Sequence, residues 1–147
     1  IIYVRGIYRA LMGFALKFHF QGEAMIYEDE MIYVEREEHE VPWVKVFTKA
    51  KFKELSDCDE ATLAHLWRAV LQCEKSLREF YTPDKINIAS FANYVPRVHF
   101  HVQARFKNDS FFPESVWGKK MRNGKLNLPE FSQFAEVLAA NLKMEFR

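Results

Sequence analysis

VPRVHFHVQARF, residues 95–106, decides how the rest of the chain is read. From Arg97 to Phe106 polar and apolar residues alternate without a break, the period of a strand whose two faces meet different surroundings. Val98, Phe100, Val102, Ala104 and Phe106 form one apolar face that a helix can cover. The other face carries Arg97, His99, His101, Gln103 and Arg105. An exposed antiparallel strand usually takes Thr, Lys, Glu or Ser there, so two histidines at i and i+2 between two arginines make this face a candidate for chemistry.

Upstream of it, Lys85–Phe91 (KINIASF) is β-rich and reaches the stretch through Ala92-Asn93-Tyr94-Val95-Pro96, which predicts a hairpin. Residues 31–36 and 42–48 predict another, joined by the charged run Glu37-Glu38-His39-Glu40, in which His39 reads as a solvated turn residue. Ser56, Asp57 and Asp59 offer capping oxygens before Leu63, Leu66, Trp67, Val70, Leu71, Leu77 and Phe80, whose spacing predicts a helix over about 59–80, stopped by Pro83. His65, beside that stripe, reads as a surface or packing histidine. Downstream, Asn108-Asp109-Ser110 and Pro113 predict a loop and Asn123-Gly124 a turn. Pro129 predicts the start of a final helix with Phe131, Phe134, Val137, Leu138 and Leu142 inward. The class is α+β.

At 147 residues and 49% hydrophobic, the chain suits one domain with a real core. A net charge of only +1 gives no polyanion-coating surface, so nucleic acid is not an expected partner and any phosphate must be recognised locally. Cys58 and Cys73 lack both a disulfide framework and zinc-site spacing, which fits a reducing cytoplasm and buried thiols without a catalytic role. Residues 1–24 contain an apolar run too short and interrupted to span a bilayer, and Gln21-Gly22-Glu23-Ala24 makes a poor signal cleavage site. They read as an extra N-terminal segment, in which Phe20-Gln21-Gly22 resembles a protease scar. The functional domain is then residues 25–147, with no membrane partner.

Two chemistries suit the histidines, whose Cβ atoms at i and i+2 stand roughly 7 Å apart. A pair of imidazoles on a strand can hold zinc, but no carboxylate or cysteine follows on the same face, and two arginines beside a dication oppose it. The expectation is no metal and no cofactor. Phosphoryl chemistry accommodates the arginines better: neutral imidazole is a competent nucleophile toward phosphorus, and imidazole, backbone N–H and guanidinium donors stabilise the non-bridging oxygens.

The stretch resembles the signature strand of the histidine triad (HIT) superfamily, in which His, apolar, His, apolar, His is followed by two apolar residues. The similarity runs from Met25 to about Gly118. It is most specific over Pro83–Gly118, where the strand, the turn, the Asp109–Pro113 loop and Val116-Trp117-Gly118 follow in the order of a bacterial branch. The resemblance implies a HIT-like fold with an antiparallel sheet of about five strands, one long helix and a C-terminal helix, commonly paired as a homodimer. It implies a hydrolase or nucleotidyl transferase that attacks the α-phosphate of a purine nucleotide or nucleotide conjugate and forms a nucleotidyl-histidine intermediate. Carried over, His99 takes the nucleophile's position and His101 the phosphate ligand's, with Asn93 as a phosphate or leaving-group contact. Asn87, Ser90, Arg97, Gln103 and Trp117 are further candidates for phosphate or nucleotide contacts. Trp43 is read first as a buried aromatic and second as a pocket wall.

Arg97 departs from the pattern, standing where the family usually has His and sometimes Gln. A cation roughly 7 Å from His99 at an effective dielectric near 20 disfavours imidazolium by about 2.4 kcal/mol, which keeps His99 neutral and nucleophilic. The same charge stabilises the phosphate of the intermediate and can slow its resolution. Two readings therefore stand: an enzyme, or a catalytically weak nucleotide- or partner-binding module of the same fold.

Overall fold

The computed structural model describes residues 24–147. The expectations for the N-terminal segment therefore fall almost wholly outside the described residues. Five strands, β1 (Met25–Glu28), β2 (Ile32–Arg36), β3 (Trp43–Thr48), β4 (Lys85–Ala89) and β5 (His99–Arg105), form one antiparallel sheet in the order β1-β2-β3-β5-β4. Among the described residues two α-helices, α1 (Glu60–Tyr81) and α2 (Phe131–Glu145), cover the sheet's apolar side. Among the described residues no helix is long and apolar enough to cross a membrane.

The apolar face of the opening stretch is where the core sits. Val98, Phe100, Val102, Ala104 and Phe106 are all buried, and they join Ile32, Val34, Val44 and Val46 of the neighbouring strands beneath both helices. Each fully buried Leu or Val contributes about 1.5–3 kcal/mol relative to exposure. The strand is shorter than the alternation predicts, because Arg97 and Val98 precede the ladder: the Val98 N–H donates to the Phe52 carbonyl, outside the sheet.

Helix α1 begins where the capping oxygens place it. Asp59 Oδ1 accepts the Thr62 N–H at 2.8 Å, satisfying one of the first-turn donors that have no partner within a helix. Thr82 closes the helix in the left-handed region at φ 45°, donating its N–H to the Arg78 carbonyl, and Pro83 cannot continue it. The inward face is rotated from the predicted one. Leu66, Ala69, Val70, Cys73 and Leu77 are buried, whereas Trp67 and Leu71 are exposed. In α2, Phe134, Leu138 and Leu142 point inward as expected, but Val137 is exposed.

Two loop expectations are also corrected. His39 is half-buried, with its ring against Trp43 and Phe111 and Nδ1 accepting the Val41 N–H, so it is not a solvated turn residue. Asn123-Gly124 forms no tight turn. A Cβ on Gly124 would lie 2.5 Å from Ser110 N and 2.7 Å from Asn108 O, so glycine is required by close backbone approach. Cys58 and Cys73 are buried free thiols, and burial pushes the Cys73 thiol up.

Candidate active site

Directly paired residues of adjacent strands project to the same side of a sheet, so the register of β5 identifies the neighbours of its polar face. Phe47 lies opposite His99, Lys45 and Ala89 flank His101, and Trp43 and Asn87 flank Gln103. Tyr33 and Glu35 extend the first two rows onto β2. This side, opposite the helices, is not a solvated surface: His99 is 6% exposed and Gln103 and Arg105 are 1% exposed.

His99 stacks on Phe47 with ring centroids 4.5 Å apart, and its Nδ1 stands 2.8 Å from the Arg97 carbonyl. A carbonyl only accepts, so Nδ1 carries a proton, and in the neutral ring the lone pair lies on Nε2. The His101 ring lies 4.9 Å from that of His99, nearly perpendicular to it. Its Nδ1 faces the Trp43 indole N–H at 3.1 Å. Burial, together with the charges of His99 and Lys45 and against that of Glu37, brings His101 down to about 4, so it is neutral at physiological pH. Trp117 packs edge-on against His101 at 5.0 Å and against Trp43 at 5.2 Å, with one side open to solvent.

The two arginines at the ends of the polar face are engaged within the fold. Arg97 Nη2 donates to the Thr48 and Lys49 carbonyls at 2.5 and 3.1 Å, and its guanidinium lies 5.5 Å from the ring centres of both Tyr33 and Phe47. Arg105 is paired bidentately with Asp109 at 2.8 and 3.0 Å and also donates to Asn87 Oδ1 and the Glu114 carbonyl. Burial raises the Asp109 carboxyl, but the Arg105 guanidinium and the N–H groups of Phe106, Phe111 and Phe112 outweigh it and bring it to about 2. The pair holds the loop that carries Trp117.

The other candidates are spread around this centre. Ser90 Oγ donates to the His99 carbonyl at 2.7 Å, fixing the end of β4 to the start of β5. Asn87 is taken up by Arg105, and both amide atoms of buried Gln103 lack a partner. Asn93 is exposed in the β4–β5 connection, just after Ala92, which adopts the left-handed region at φ 55°. A strained alanine in that connection costs about 1–2 kcal/mol and is held by the hairpin around it.

The sequence had not singled out Phe47, Lys45 or Glu35, and placed Glu37 only in a charged turn. Lys45, opposite His101, forms ion pairs with Glu35 and Glu37 at 2.9 and 2.6 Å, which hold its charge beside the histidines. The available signal was the alternation of β3 itself, since Trp43, Lys45 and Phe47 share one face. A separate open groove of about 500 Å³, lined by His39, Glu40, Ser110, Phe111, Lys120, Asn123 and Gly124, includes neither His99 nor His101. Among the described residues no three His, Cys, Asp or Glu side chains gather as a metal site.

Comparison with known proteins agrees with this architecture. The chain is similar in fold to a histidine triad protein from Bradyrhizobium japonicum, with 23% identity over 87% of this chain and 95% of that one and a TM-score of 0.64. A histidine triad protein from Sinorhizobium meliloti shares 22% identity over 92% and 99% of the two chains, also at 0.64. A hypothetical histidine triad nucleotide-binding protein from Sulfolobus tokodaii shares 17% over 89% and 88%, at 0.55. No curated protein sequence matches. The HIT domain model matches residues 21–108, more than half of the sequence, and the chain therefore belongs to the HIT domain family.

Proposed function

We propose that the chain is a nucleotide hydrolase or nucleotidyl transferase that acts at the α-phosphate through His99. The observation that carries this reading is the 2.8 Å contact from His99 Nδ1 to the Arg97 carbonyl, which commits the ring's proton to one side and its lone pair to the other. In the reaction, Nε2 forms a bond to the α-phosphorus as the bond to the leaving group breaks, and the leaving group takes a proton from solvent. The Arg97 carbonyl stabilises the positive charge that the nucleotidyl-imidazole acquires. Water, or another acceptor, then attacks phosphorus, loses a proton, and returns the electron pair of the P–N bond to Nε2. Neutral His101 donates to a non-bridging oxygen, Asn93 contacts the phosphate or leaving group, and Trp117 forms a wall of the site. The substrate is a purine nucleotide or conjugate with a phosphoramidate or phosphoanhydride bond.

Arg97 supports a second reading. Its guanidinium is turned to the Thr48 and Lys49 carbonyls, which leaves the first triad position without a free imidazole and favours a weak or inactive nucleotide-binding module. The two are separated by incubating the protein with lysyl-adenosine phosphoramidate and with diadenosine polyphosphates, beside His99→Ala. AMP release that disappears in the variant is expected. Intact nucleotide binding with no His99-dependent release from any of these substrates would leave only the binding module.

A further inference from the structure

We propose that Trp43 is a positioning residue: its indole N–H fixes His101 as the tautomer with the proton on Nε2, making it a standing hydrogen-bond donor toward the phosphate. The inference rests on the nucleotide reading for what Nε2 faces, but the tautomer follows from the chain alone. An indole N–H can only donate, so the His101 Nδ1 it meets at 3.1 Å must accept, and the one proton of a neutral imidazole is left on Nε2. Trp43 is opposite Gln103, one pair away from His101, so its indole reaches the imidazole on the diagonal, a span that a large aromatic covers. Its ring is only 6% exposed and is held edge-on between His39 at 5.3 Å and Trp117 at 5.2 Å, which limits its freedom to swing away.

His99 shows the opposite arrangement two residues earlier. Its Nδ1 meets a carbonyl, which imposes a proton there and a lone pair on Nε2. Two chemically identical rings on one strand are thereby given different functions, attacking group and donor, by whether an acceptor or a donor stands at Nδ1.

Nitrogen-15 NMR of the imidazoles in the folded protein tests this without reference to turnover. At neutral pH the expected result is a pyridine-type Nδ1 and pyrrole-type Nε2 for His101, and the reverse for His99. Trp43→Phe keeps a ring and removes the N–H. Since the unpartnered Gln103 amide is next on the same face and can donate in its place, Trp43→Phe/Gln103→Leu is measured as well. In the double variant the His101 resonances are expected to move toward the tautomer average while those of His99 stay put. The His101 titration midpoint is also expected to rise, with His99, Lys45 and Glu37 unchanged around it. His99-dependent AMP release should fall on the order of 10-fold in kcat, the equivalent of one hydrogen bond. A pyrrole-type Nδ1 on His101 in the wild type, or an unchanged His101 tautomer and titration in both variants, overturns the role of Trp43. Absence of AMP release with the expected spectra overturns the enzymatic reading and leaves the tautomer lock standing.

Discussion

At position 97 the main chain and the side chain act in different places. The carbonyl orients His99, while the guanidinium caps the end of β3 and lies over Tyr33 and Phe47. Arg97→Met is therefore expected to lower stability by about 1–2 kcal/mol, through lost charge-assisted bonds, yet to keep AMP release within about tenfold. Urea unfolding and a turnover assay on the same preparation check this; loss of release from a variant that stays folded would mean that the guanidinium itself contacts phosphate. Strand spacing alone puts residues 97 and 99 roughly 7 Å apart and leaves the Arg97 charge acting on His99 from along the strand face. What the sequence could not show is that two carbonyls at the end of β3 engage the guanidinium over Tyr33 and Phe47. His99 and His101, by contrast, were legible because strict alternation fixes which side of a strand a residue occupies, whatever its partners.

The loop after β5 shows where legibility ends among the elements. Arg105 belongs by period to the polar face, but Asp109 curls back from the loop to meet it, and sequence patterning has no period for that. Asp109→Ala leaves a buried guanidinium with only neutral acceptors and frees the N–H groups of Phe111 and Phe112. The expected cost is about 3 kcal/mol, with Trp117 displaced from His101, seen as a lowered urea midpoint and a red-shifted tryptophan emission. An unchanged midpoint would show that the loop is held by Glu40, Ser110 and Arg122 instead. Helix existence and ends were readable from caps and Pro83. The rotation of α1 was not, because Trp67 and Leu71 share the apolar period with Leu66 and Val70 and only packing against β5 selects between them. Strand β1 is four residues long and carries no alternating signal of its own, so it is defined by pairing with β2.

For the molecule as a whole, stability and assembly each carry a test. His101 and His39 both have pKa values lowered mainly by burial, so in the folded chain they bind a proton less readily than in the unfolded chain. Stability is therefore expected to decline as pH falls from about 6.5 toward 4, where the unfolded state takes up protons that the native state refuses, and His101→Gln should flatten that decline in urea titrations. A decline of equal slope in the variant would remove His101 from the account. Among the described residues strand β4 pairs only with β5, and Ile88 on it, Phe91, Tyr94 and Val95 after it, and Trp67 and Leu71 on α1 are exposed apolar residues. A homodimer closing over these surfaces is expected in sedimentation, with Ile88→Lys shifting it toward monomer; a wild-type monomer at micromolar concentration would refute it. The strand order has one more effect. Trp43 and Gln103, and Phe47 and His99, are paired across the whole of α1 and β4 in sequence, so the site depends on contacts of high sequence separation that cost chain entropy before they return any stabilisation. During synthesis the first three strands and the long helix emerge before β5. A nascent or truncated chain that ends before residue 99 can thus pair β1, β2 and β3 and holds Trp43 and Phe47 but neither His99 nor His101, so the proposed chemistry waits on the strand that joins β3 to β4.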